Sequence, residues 1–206
     1  MMLRKILIIC VLVQHSAIAS TLSEGALRLI KIGHEIGSRD VALRGQSLLL
    51  KGAFDLDDFD AMYEVSKQVR YGSKLMGYAP LERKANEILI KLVRKSYDPA
   101  LYEYALNLLD GSSGFIKNEF LALNLFEESF KVHGNAKSAL MAAIIRNESL
   151  VPGTKKVQYI NELILFAILN HIAGAQAYQK QYIKLDYLSD LNPPSWRVWI
   201  DAQTTN

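Results

Sequence analysis

Apolar positions recur along this chain with the spacing of an α-helix, and strand-like alternation is scarce. Residues 85–95 place Ala85, Ile88, Leu89, Leu92 and Val93 at i, i+3, i+4, i+7 and i+8, the stripe by which a helix buries one face. Residues 122–130 repeat it with Ala122, Leu125, Phe126, Ser129 and Phe130. A third copy is Val157, Ile160, Asn161, Ile164 and Leu165, weakened by its asparagine. The copies begin 37 and 35 residues apart, a period that predicts an all-α fold of stacked helical hairpins.

Each stripe has a partner upstream: a small residue, contacts four and eight positions later, then glycine after three more. Ala100, Tyr104, Leu108 and Gly111 fit this frame, as do Ala61, Val65, Val69 and Gly72, and Ala26, Ile30, His34 and Gly37. Ser138, Ala142, Arg146 and Ser149 form a degenerate copy. The connection recurs too. Residues 77–85 (Gly-Tyr-Ala-Pro-Leu-Glu-Arg-Lys-Ala) match residues 114–122 (Gly-Phe-Ile-Lys-Asn-Glu-Phe-Leu-Ala) in length and in their Gly, aromatic and Ala positions. Gly72 and Gly111 suit the left-handed conformation that ends a helix. Tyr78 and Phe115 suit a plug between two helices, and Asn118 suits an N-cap.

These motifs resemble the Sel-one-like repeat, a relative of the tetratricopeptide repeat. The strongest copy runs from Asp98 to Gly134-Asn135-Ala136, and the register covers roughly residues 22–173. The resemblance implies a right-handed helical solenoid of about three to four antiparallel hairpins, spanning residues 20–190 and ending in a capping helix over Ala175 to Leu188. The connection at residues 37–42 is short, and Leu81 stands where the family usually has an Asp, so the outer copies could be plain hairpins acting as caps.

The ends change where such an array would work. Arg4 and Lys5 precede an apolar run, Ile6 to Val13, and Ala17-Ile18-Ala19 offers the small residues a signal peptidase requires. The run is far shorter than the roughly 20 residues that span a bilayer. Residues 1–19 are expected to be a cleaved signal peptide, with a buried N-terminal strand as the alternative. Removing them leaves 187 residues, lowers the net charge from +3 to +1 and takes away the only cysteine, Cys10. The mature protein then has neither disulfides nor thiol chemistry, and no basic excess of the kind that marks nucleic-acid binders. At the other end, Asn192-Pro193-Pro194 stops the last helix, and residues 191–206 form a tail with Trp196, Val198, Trp199 and Ile200. This tail either folds back to seal the array or stands exposed as a docking segment.

Candidate chemistry is sparse. The acidic run from Asp55 to Asp60 lacks the ligand spacing of a calcium loop and reads instead as the start of a helix whose far end carries Lys67, Arg70 and Lys74. His34 is expected to be packed and His133 to lie at a helix C-terminus; no histidine pair has metal-binding spacing. No catalytic residue, cofactor or metal is expected, so an enzyme is not the favoured reading. If the first helix of each repeat lines a concave wall, Arg28 and Ile32, Tyr63 and Lys67, Tyr102 and Leu106, and Leu140 and Ile144 flank its centre, with Arg70 one turn on. Some of these, the aliphatics above all, would instead meet a neighbouring repeat. Arg28, Tyr63, Lys67, Arg70 and Tyr102 are the partner-binding candidates, suited to an extended or acidic segment. The expected function is an exported, most simply periplasmic, protein–protein scaffold of the bacterial envelope. A subunit of a flagellar motor or secretion apparatus is the neighbouring reading; an envelope enzyme or glycan binder is the contrasting one.

Overall fold

The computed structural model describes residues 22–148 and 157–187. Residues 1–19, expected to be a signal peptide, Ser149, Leu188 and the tail residues Trp196, Val198, Trp199 and Ile200 lie outside them. Among the described residues the chain is all helical, with a single isolated bridge between Ser73 and Tyr78. The helices are α1 (residues 22–35), α2 (Arg39–Asp55), α3 (Phe59–Tyr71), α4 (Glu82–Val93), α5 (Asp98–Asp110), α6 (Glu119–His133), α7 (Ala136–Glu148), α8 (Val157–Leu169) and α9 (Ala175–Tyr187). No helix among the described residues is long and apolar enough to cross a membrane. Two compact units divide within α5, Met1–Ala100 and Leu101–Asn206.

In the first unit α2 packs on α3 and α3 on α4. The α1–α2 pair meets through small residues, because backbones can approach closely only where side chains are short. Gly33 lies against Ala42, and Gly45 against the backbone of Ala26 and Ile30. This contact corrects one expectation: His34 is exposed. The buried line of α1 runs through Ser23, Ala26, Ile30 and Gly33, so the next residue turns outward. The acidic run behaves as a helix start. Asp58 caps α3, accepting from the amides of Asp60 (3.0 Å) and Ala61 (3.2 Å), and it also accepts from the Ser23 hydroxyl at 2.6 Å. Carboxylates at this end and Arg70 in the last turn complement the helix dipole.

Both interhelical connections close in the same way. Gly72 and Gly111 have φ of +67° and +65°, a conformation costly for residues with a Cβ, and each follows its helix directly. The amide of Leu81 then donates to the carbonyl of Val69 (2.9 Å), and that of Asn118 to Leu108 (2.8 Å). These are equivalent positions in the two matched segments. Asn118 caps α6 by accepting from the amide of Leu121 at 2.9 Å. Phe115 packs edge-on to Tyr104 with ring centres 4.9 Å apart, the plug expected of it.

In the second unit α6 packs on α7, α7 on α8 and α8 on α9. Ala85, Ile88, Leu89 and Leu92 of α4 and Ala122, Leu125, Phe126 and Ser129 of α6 are buried, as their stripes require. The third stripe is turned. Val157, Asn161 and Leu165 are exposed, while Ile160, Leu163, Ile164 and Ala167 are buried. Asn161 therefore marks the outer face of α8, and the core face lies beside it. α7 is buried over nine of its 13 residues because it has helices on two sides, and a helix enclosed in this way needs no polar face. Its fully buried Leu140 and Ile144 belong to that core, which removes them from the expected binding face. His133 closes α6, as expected of a residue favoured at a helix C-terminus.

Candidate functional site

Three of the four partner-binding candidates of the first unit, Tyr63, Lys67 and Arg70, lie on α3. Its inner face buries Ala61, Met62, Val65 and Ser66. Tyr63, Lys67 and Arg70, at i, i+4 and i+7, form a half-exposed strip beside it. Tyr63 is held in place by Tyr97, with ring centres 5.8 Å apart, and Tyr97 also meets Phe59 edge-on at 6.1 Å. The Tyr97 hydroxyl donates a short bond to the Asp60 carboxylate. Burial, and then that carboxylate, push the Tyr97 phenol well above its ordinary ionisation range. Lys67 extends over the Tyr63 ring, Nζ 5.5 Å from its centre, and pairs with Glu64 at 2.9 Å. Nη2 of Arg70 donates to Oδ1 of Asn86 on α4 at 2.8 Å. A tyrosine face backed by a second ring and crossed by a lysine is a preorganised surface for an aromatic or acidic group. Arg28 stands exposed on α1.

Tyr102 belongs to the second unit and is less available. Its ring packs edge-on to Phe126 at 5.6 Å, and burial pushes its phenol up to about 12. It is chiefly a packing residue.

A charged cluster in the second unit is not announced by the sequence pattern. Glu127 of α6 is 8% exposed and accepts from Nε of Arg146 on α7 at 2.5 Å and from Nζ of Lys131 at 2.8 Å. Both cations lie against the ring of Tyr159 on α8, at 5.0 Å for Arg146 and 5.7 Å for Lys131. Burial, then the nearby Glu127 carboxylate, raise the Tyr159 phenol, and the bond to Glu127 raises Lys131. One signal of it was available. Arg146 occupies a core position of the repeat frame, and a charge there calls for a buried partner. The arrangement ties three helices together.

The turn from α8 to α9 borders a cavity of about 500 Å³ that is open to solvent. Ile168, Ile172 and Ala177 supply its apolar wall, and His171, Gln176 and Lys180 its polar edge. Among the described residues, no three His, Cys, Asp or Glu side chains are grouped so as to hold a metal ion. Comparison with protein-family models, with curated proteins and with solved structures finds no match to this chain.

Proposed function

We propose that this chain is an exported protein–protein interaction scaffold, built as a right-handed solenoid of Sel-one-like hairpins and working in a bacterial envelope complex. The observation that carries the reading is the repeated closure, Leu81 to Val69 and Asn118 to Leu108, at equivalent points of two matched segments. Repeated hairpins offer a partner extended helix faces, and side chains on such faces act through packing and charge. On α3 the face is made by Tyr63 and Lys67, with Arg70 a turn further on. It suits a segment that brings an acidic or aromatic side chain. Export rests on the N-terminal pattern alone, and the envelope placement depends on it.

The test is crosslinked capture from envelope fractions with the tagged full-length chain and its variants. Tyr63→Ala combined with Lys67→Glu is expected to abolish capture while the circular dichroism spectrum stays helical. Unchanged capture rejects the α3 face. N-terminal sequencing of the envelope form is expected to begin at Ser20; a start at Met1 rejects the export reading separately.

A further inference from the structure

The cavity at the α8–α9 turn is open to solvent and follows the exposed C-terminal end of α8. Leu165 and Leu169, one turn apart on α8, are 49% and 76% exposed, and Ile168 between them enters the cavity wall. α9 begins at Ala175, and its first turns contribute Gln176, Ala177 and Lys180 to the opposite side. An open cavity with an aliphatic floor and a rim of an amide, an imidazole and an ammonium fits an indole: the ring lies on the aliphatic side chains, and its N–H finds an oxygen acceptor in the Gln176 amide at the rim.

The chain carries two tryptophans, Trp196 and Trp199, and both follow α9. α9 has 13 residues and so runs about 20 Å from the cavity to its far end. Trp196 comes nine residues after Tyr187, and nine extended residues reach about 30 Å, enough to return along the whole helix. Asp190 and Asp201 on the same segment complement Lys180 at the cavity rim.

We propose that this cavity is a tryptophan-accepting site and that its occupant is the chain's own C-terminal segment, entering through Trp196 or Trp199. The segment then covers Ile168 and Ile172. This assignment is independent of the α3 face and of the export reading.

Both tryptophans lie on the segment, so intrinsic fluorescence of the full chain reports its position directly. The expected emission is blue-shifted from that of free tryptophan, with acrylamide quenching reduced several-fold. Ala177→Arg places a bulky cation in the cavity from an exposed position, so the fold is expected to tolerate it. Ile172→Asp puts a charge on the cavity wall. Each is expected to restore the emission and quenching of an exposed indole at unchanged helical circular dichroism. Wild-type tryptophans that already quench like free tryptophan overturn the proposal. So does shielding that survives both variants, which places the indoles elsewhere. Shielding that disappears on dilution overturns it in favour of a second copy as the source of the tail.

Discussion

Gly45 should be among the least replaceable residues of the first unit, although it sits in the middle of a helix where glycine is a poor choice. A methyl group at this position would lie 2.7 Å from the carbonyl oxygen of Ala26 and 2.8 Å from the amide nitrogen and Cγ1 of Ile30. Two of these three atoms are backbone, so no side-chain rotation relieves the overlap. α1 must move away by several tenths of an ångström, which loosens the packing of Ala26, Ile30 and Leu49. Overpacking of this kind costs about 1–3 kcal/mol. Replacing glycine by alanine inside a helix returns about 1 kcal/mol. Gly45→Ala is therefore expected to lose up to about 2 kcal/mol, with a fall of a few degrees in Tm for a chain of this size. Gly25→Ala supplies the internal control. It makes the same substitution on α1 with nothing within 4 Å of the added methyl, so only the propensity gain remains. Urea denaturation followed at the helical circular dichroism band measures both. Opposite signs are expected, Gly45→Ala weaker and Gly25→Ala stronger than the wild type. A Gly45→Ala protein at least as stable as the wild type would falsify the close α1–α2 approach.

The same physics has other consequences. Glu127→Ala takes the shared carboxylate from Lys131 and from Arg146, whose side chain is only 15% exposed, and should cost up to about 3–5 kcal/mol in chemical denaturation, whereas Glu87→Ala, on surface pairs, should cost about 0–1 kcal/mol. Equal effects would mean that the Glu127 cluster is solvated. Asp58→Ala removes the α3 cap and the Ser23 bond and should lose about 1–2 kcal/mol, measurable as a lower urea midpoint with the slope unchanged. Alkaline pH should act through the buried phenols. A tyrosine that ionises at about 12 when folded and near 10 when unfolded contributes stability below pH 10 that is lost as pH rises to 12. For Tyr102 this loss is about 2–3 kcal/mol, and Tyr102→Phe should flatten that part of the profile; an unaltered profile would show that its hydroxyl is not buried.

Local features of the fold were legible where one residue suffices to set the geometry. Asp58 and Asn118 cap helices because a short oxygen-bearing side chain reaches the first free amides, whatever the surroundings. Gly72 and Gly111 end helices because their φ is available to glycine at little cost. Stripes such as Ala85, Ile88, Leu89 and Leu92 reveal a buried face, since one side of an isolated helix pair must meet water. Of the candidate binding residues, Tyr63, Lys67 and Arg70 were readable as a set because a single helix at fixed spacing brings them together.

Tertiary structure decided what depends on neighbours. His34 turned outward because Gly33 took the contact with Ala42, a choice set by the distance between two helices. Tyr102 turned toward the core because Phe126 on another helix stands against it. α7 lost its periodicity because it is enclosed on two sides, and the pattern along a chain records exposure only where there is some. The Glu127–Arg146–Tyr159 cluster draws one residue from each of three helices, so no spacing within any of them announces it. Sequence alone determined the features that bond geometry and a single helix can set: the all-helical class, the turns, the caps and the α3 strip. Which of two apolar faces is buried, and which charges share a partner, is settled by the packing of helices against one another, because burial is a property of the pair.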